Sequence, residues 1–153
     1  MARMSAEQRS KLLSEDLSWE DIVQLSDAFT GEYQDLAQAA IDAENNGEKD
    51  VKHLPFLSPS GLWLQSYGFS KACMGAYCSI LARKHASLLV MTCSPGFIAT
   101  DMSKTYAKYD ELKTIDEGGE VIGWMATEKK ENMQSGVFYQ PDRSVVGWVA
   151  DLN

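Results

Sequence analysis

Tyr67 and Lys71 are the residues of this chain whose types and spacing could do chemistry together. Side chains four residues apart on a helix leave the same face, with their Cβ atoms about 5–6 Å apart. A free phenol has a pKa of about 10 and is a slow acid or base at neutral pH. A fixed ammonium beside a phenol favours the phenolate, so that proton transfer to a bound oxygen comes within reach. The same spacing also describes an aromatic anchor beside a solvated lysine, because both residue types are common on helices. A second segment sharpens the choice. Cys93-Ser94-Pro95-Gly96-Phe97-Ile98-Ala99-Thr100-Asp101-Met102 sets a Pro-Gly turn, exposable amides and a threonine hydroxyl directly behind an apolar run. Ligands in open α/β sheets bind at the carboxyl ends of strands, where such a turn would lie.

Positioning these groups requires particular elements. From Tyr67 to His85 there is no proline, and apolar residues recur at Phe69, Cys73, Ala76, Tyr77, Ile80 and Leu81, which predicts a long helix. Leu88 to Cys93 is a nearly unbroken apolar run ended by Pro95-Gly96, as expected of a parallel strand covered on both faces. Thr114 or Asp116 can cap a helix running to about Ala126. A second strand is expected at 136–140, closed by the Pro141-Asp142 turn. Upstream, Trp19, Ile22, Val23, Phe29, Tyr33, Leu36, Ala37, Ala40 and Ile41 fall on one face of an amphipathic helix. Ser18 and Asp21 form a capping-box pattern at its start, and Gly31 is a place where it could kink. The polar stretch from Glu44 to Asp50 is expected to be a surface loop, and residues 54–66, with two prolines and a glycine, an irregular loop.

The order Tyr67-Gly68-Phe69-Ser70-Lys71, long helix, apolar strand, then Pro95-Gly96-x-x-x-Thr100-Asp101-Met102, resembles the short-chain dehydrogenase/reductase family in both order and spacing. Glu117-Gly118 and Ser135-Gly136-Val137-Phe138 look like that family's closing segments, so the likeness covers at least residues 61–140. Residues 5–60 look like the helical insertion that distinguishes the carbonyl reductase-like, monomeric branch. The resemblance implies an α/β fold, namely the C-terminal part of a doubly wound, Rossmann-type parallel sheet, as one partial domain over residues 1–153. It implies an oxidoreductase that reduces aldehydes, ketones or quinones with hydride from NADPH in preference to NADH. Tyr67 would be the proton donor, and Lys71 would hold the nicotinamide ribose and tune the phenol. Pro95, Gly96 and Ile98 would lie along the nicotinamide, and Thr100 would bond its carboxamide or the adjacent phosphate. For Thr100 the competing role is to cap a short helix starting near Asp101.

The pattern is also broken. The family's substrate-holding serine normally lies thirteen residues before the tyrosine, where this chain has Leu54, and Ser5 is a poor substitute. No Gly-x-Gly-x-x-Gly loop is present to cradle a pyrophosphate. A doubly wound sheet has roughly six strands, whereas two are expected here. The expectation is therefore an incomplete domain, inactive alone and dependent on an N-terminal half. The alternative is a non-catalytic interaction fragment that binds a partner through exposed apolar faces.

Composition narrows the field. Among 153 residues the formal charge is −8 and no basic cluster exceeds a pair, so nothing here would attract nucleic acid or anionic lipid. No stretch approaches the about 20 apolar residues of a membrane span. Cys73, Cys78 and Cys93, odd in number and set in apolar runs, suit reduced thiols and a cytoplasmic setting. His53 and His85 lack metal-ligand spacing, and a serine-hydrolase elbow is missing. Met74, Met91 and Met125 read as core filler.

Overall fold

A computed structural model describes residues 5–47, 59–103 and 112–146. Leu54, Met1 to Met4 and the segment 104–111 lie outside the described residues. The chain is a mixed α/β structure whose described part divides into two compact units, residues 1–77 and 78–153. The division falls within the third helix.

The first unit is helical. Helix α1 (Ala6–Leu12) starts with a capping box in which the Ser5 hydroxyl accepts from the Gln8 N–H at 3.1 Å and the Ser5 N–H donates to Gln8 Oε1 at 2.9 Å. Ser5 is thus a helix cap here. Helix α2 (Trp19–Asn45) begins as expected: the Asp21 N–H donates to Ser18 Oγ at 3.1 Å, and Asp21 Oδ2 accepts from the Ser18 N–H at 3.0 Å. It runs unbroken through Gly31 and continues past Glu44 to Asn45, so the expected loop starts later, at the turn Asn46-Gly47. Gly47 has φ of 72°, a left-handed value that glycine adopts without strain.

Helix α3 (Pro59–Lys84) is longer than its sequence pattern suggested, because residues 59–66 are helical rather than irregular. Pro59 is the first helical residue, the position at which proline's missing N–H and fixed φ cost nothing. Within the first unit α2 and α3 meet through Trp19 with Tyr77 (ring centroids 5.1 Å apart, edge-on), Ser26 Oγ with Cys73 Sγ (3.9 Å), and Phe29 with Phe69 (4.1 Å, parallel rings). As numbers rise on α2 they fall on α3, so the two helices are antiparallel. Leu12, Leu17, Ile22, Leu25, Phe69, Ala72 and Ala76 are buried there.

The second unit carries a three-stranded sheet of order β1-β2-β3. Strand β1 (Thr92–Cys93) pairs in parallel with β2 (Phe138–Tyr139), Thr92 opposite Phe138, and helix α4 (Ile115–Thr127) joins them in sequence. The ladder is shorter than the apolar run implied. The Leu88 N–H closes a turn onto the His85 carbonyl, and the Val90 N–H donates to Ser135 Oγ rather than to a strand. A third strand, β3 (Val145–Val146), pairs antiparallel with β2, which corrects the expectation of two strands. In the sequence the Pro141-Asp142 turn reads as an end rather than as a hairpin. Arg143 completes that turn at φ of 68°. Val121, Met133 and Tyr139 form the buried centre, with Leu89, Met91, Cys93, Trp124, Met125 and Val137 packed around it. Among the described residues no helix is long and apolar enough to cross a membrane.

Candidate functional site

Tyr67 and Lys71 emerge from one face of α3, as their spacing predicts. Lys71 Nζ lies 5.5 Å from the centroid of the Tyr67 ring, and it also donates to Met74 Sδ at 4.0 Å. Tyr67, Lys71 and Met74 thus form a stripe at i, i+4 and i+7. All three are exposed; Met74, at 59% of its possible surface, is not the core filler its residue type suggested. Ser70 bonds back to the Tyr67 carbonyl at 2.8 Å, a local role that keeps its hydroxyl on the helix.

A groove of about 560 Å³ lies beside this stripe, between α2 and α3, with Trp19, Phe29, Phe69, Cys73, Met74 and Tyr77 among its walls. Burial pushes the Cys73 thiol up, with the Ser26 hydroxyl acting in the opposite direction. Burial likewise raises Cys78 and Cys93. A raised thiol is less often the reactive thiolate at neutral pH.

In the second unit, Pro95, Gly96, Ile98 and Thr100 follow the carboxyl end of β1. Gly96 has φ of 86°; a Cβ there would stand 3.2 Å from Lys113 Cδ and 3.4 Å from Pro141 Cγ. Only glycine fits the bend without strain. Ile98 pairs its backbone with Lys113, and the Ala99 N–H donates to the Lys113 carbonyl at 2.8 Å. Its side chain lies against α4: a Cβ on Gly118 would sit 2.1 Å from Ile98 Cδ1. The Ile98 side chain is therefore engaged in packing, which leaves its backbone as the part that could line a ligand.

The Thr100 N–H donates to Ser103 Oγ at 2.9 Å, and the two hydroxyls are 3.2 Å apart. Ser103 is buried and its hydroxyl also donates to the Ile98 carbonyl. This tight turn fixes Thr100 while leaving the residue exposed.

Lys113, which packs against the bend, carries no motif of its own, and the contact of Gly118 with Ile98 is found only through tertiary structure. Helix α4 caps itself as expected, with the Glu117 N–H donating to Thr114 Oγ1 at 3.2 Å and Glu117 Oε2 accepting from the Thr114 N–H at 2.7 Å. That backbone bond, helped by the Thr114 hydroxyl and nearby Lys113, holds the Glu117 carboxyl below its usual range. Its negative charge occupies the helix start, where an anion would otherwise be favoured. Comparison of the chain with protein-family models and with curated proteins found no match to either.

Proposed function

We propose that this chain supplies the proton-donor pair for nicotinamide-dependent reduction of a carbonyl compound, in the manner of a short-chain dehydrogenase/reductase of the carbonyl reductase type, with the sheet taken as part of a Rossmann-type fold. The observation that carries the reading is Lys71 Nζ seated 5.5 Å from the Tyr67 ring on one helix. In this reading the Tyr67 hydroxyl gives its proton to the carbonyl oxygen, and the Lys71 ammonium stabilises the phenolate left behind. The Lys71 ammonium is also the donor for the nicotinamide ribose hydroxyls. Reduced nicotinamide, when bound, supplies the hydride.

Taken by itself, the second unit carries groups that suit the amide of a nicotinamide. Gly96 turns the backbone through a conformation glycine adopts freely, with Lys113 and Pro141 filling the side a Cβ would take, and Thr100 presents a hydroxyl suited to a carboxamide. Pro95 and the Ile98 backbone would extend that surface. The residues do not fit the rest of NADPH: no glycine-rich loop occurs in the sequence, and Glu117 holds the start of α4. The pyrophosphate and adenosine therefore have no assigned partner among these residues.

Titration of the isotope-labelled chain with reduced nicotinamide mononucleotide tests the reading. Amide signals of Gly96 and Thr100 and the side-chain signals of Lys71 are expected to move. Lys71→Met should abolish the Lys71 response and weaken binding, whereas Tyr67→Phe should leave binding nearly intact, because the phenol is assigned to the chemical step. Unmoved signals at Gly96, Thr100 and Lys71 with saturating ligand would sink it. A second reading, a binding module without catalysis, draws on Ile115, Met102, Leu88, Phe97 and Ile122, all more than half exposed. It predicts no response to the mononucleotide at all.

A further inference from the structure

Met74 has no part in the proton-transfer reading, yet it is the side chain that receives the Lys71 ammonium. The thioether is a weak acceptor at 4.0 Å, and the Tyr67 ring at 5.5 Å is a weak site on the other side. The lysine is poised between two soft partners, one helical turn to each side. Met74 is 59% exposed, far more than Met133 at 8%, so its sulfur is open to small oxidants.

We propose that Met74 is an oxidation-sensitive latch for Lys71, with hydrogen peroxide as the class of oxidant. The thioether sulfur attacks one peroxide oxygen, the O–O bond breaks, the transferred oxygen gives up its proton, and the departing hydroxide takes that proton and leaves as water. Sulfur is oxidised by two electrons and peroxide is reduced. The product sulfoxide carries a polar oxygen where a weak acceptor stood. A charge-assisted hydrogen bond to that oxygen is stronger than the thioether contact, and it draws the ammonium along the helix, away from Tyr67. The functional consequence rests on the carbonyl-reduction reading: with Lys71 withdrawn, the phenolate and the nicotinamide ribose both lose their cation.

The experiment follows the Lys71 ε-methylene by carbon–proton correlation in the lysine-labelled chain. In the untreated protein the Tyr67 ring current shifts these protons upfield, and Tyr67→Leu identifies that contribution by removing it. After peroxide treatment, with the added oxygen located on Met74 by peptide mass mapping, the upfield shift is expected to disappear. Methionine sulfoxide reductase should restore it. Met74→Leu should keep the shift through the same treatment, even though Met102, 58% exposed, is oxidised alongside.

An upfield shift that survives Met74 oxidation overturns the latch, as does a loss that persists in Met74→Leu. Reversal by the reductase in the unmutated chain keeps the test decisive should the leucine variant not fold. Binding of reduced nicotinamide mononucleotide, measured before and after oxidation, separates the two ideas. A Lys71 response without any ligand binding retains the latch and removes the reductase reading. Binding that is unaffected while Lys71 stays in place removes the latch and retains the reading.

Discussion

In the first unit the candidate side chains project from a single helix, and their mutual distances are set by helical geometry between Tyr67, Lys71 and Met74. In the second, what could meet a ligand is largely backbone: a left-handed glycine, a bridged Ile98 and a threonine tied into a turn. The first arrangement depends on neighbours in sequence and the second on neighbours in space. It follows that core damage in the first unit should loosen its helices while the spacing of the pair on α3 persists, whereas small changes of shape in the second should displace the bend itself.

The largest effect is expected at Phe69, which is 4% exposed and stacked on Phe29 at 4.1 Å. Phe69→Ala should cost about 3–5 kcal/mol in urea unfolding, the range for deleting a buried aromatic ring. Phe69→Leu keeps most of the volume and loses chiefly the ring pair, worth about 0.5–1.5 kcal/mol. Equal losses for the two variants would show that the α2–α3 contact is not held by aromatic packing.

Next comes a change of shape rather than of bulk. Gly118→Ala places a methyl group 2.1 Å from Ile98 Cδ1 and 2.6 Å from Cγ1, too close for either to remain. Overpacking of this kind costs about 1–3 kcal/mol. Removing the obstacle should reverse the sign: in an Ile98→Ala background, Gly118→Ala should stabilise by up to about 1 kcal/mol, since alanine is the better helix former. A double-mutant cycle measures the coupling. Simple additivity would mean that Ile98 does not press on α4, and would free its side chain to line a ligand.

These two sites also show what the sequence made legible. Helix α2, its Ser18-Asp21 cap, the Thr114 cap and the Tyr67–Lys71 face were readable because each depends on residues within a turn or two of one another. The parallel pairing of β1 with β2 was readable from two apolar runs separated by a helix. Strand β3 was not, because two valines carry no periodicity and their pairing depends on the Gln140–Ser144 turn. Residues 59–66 read as a loop because proline and glycine signal loops unless proline happens to open a helix. Lys113, Gly118 and the exposure of Met74 depend on contacts that no local pattern encodes.

The smallest effect separates the units by pH. In the first unit the Lys11 ammonium, 2.9 Å from Asp21, and the Ser18 cap bonds lower the Asp21 pKa from 3.8 to about 2. In the second, cap and turn hydrogen bonds lower Glu117, Glu128 and Asp142. For a carboxyl depressed on folding, the unfolded chain binds the proton first, so stability falls with pH through the interval between the two pKa values. The contribution of Asp21 is thus fully present above its unfolded value, erodes below about pH 4 and is gone once pH has fallen through about 2. Asp21→Asn should flatten that part of the acid profile when it is followed at α2 amides by hydrogen exchange, and leave the profile at α4 amides unchanged. Because the carboxylate is accessible to solvent and the ion pair is screened, added salt should shrink the difference between the unmutated chain and the Asp21→Asn variant. A salt-independent difference would assign the effect to the cap bond with Ser18 rather than to Lys11, and would place the acid sensitivity of the first unit in the start of α2 rather than in its link to α1.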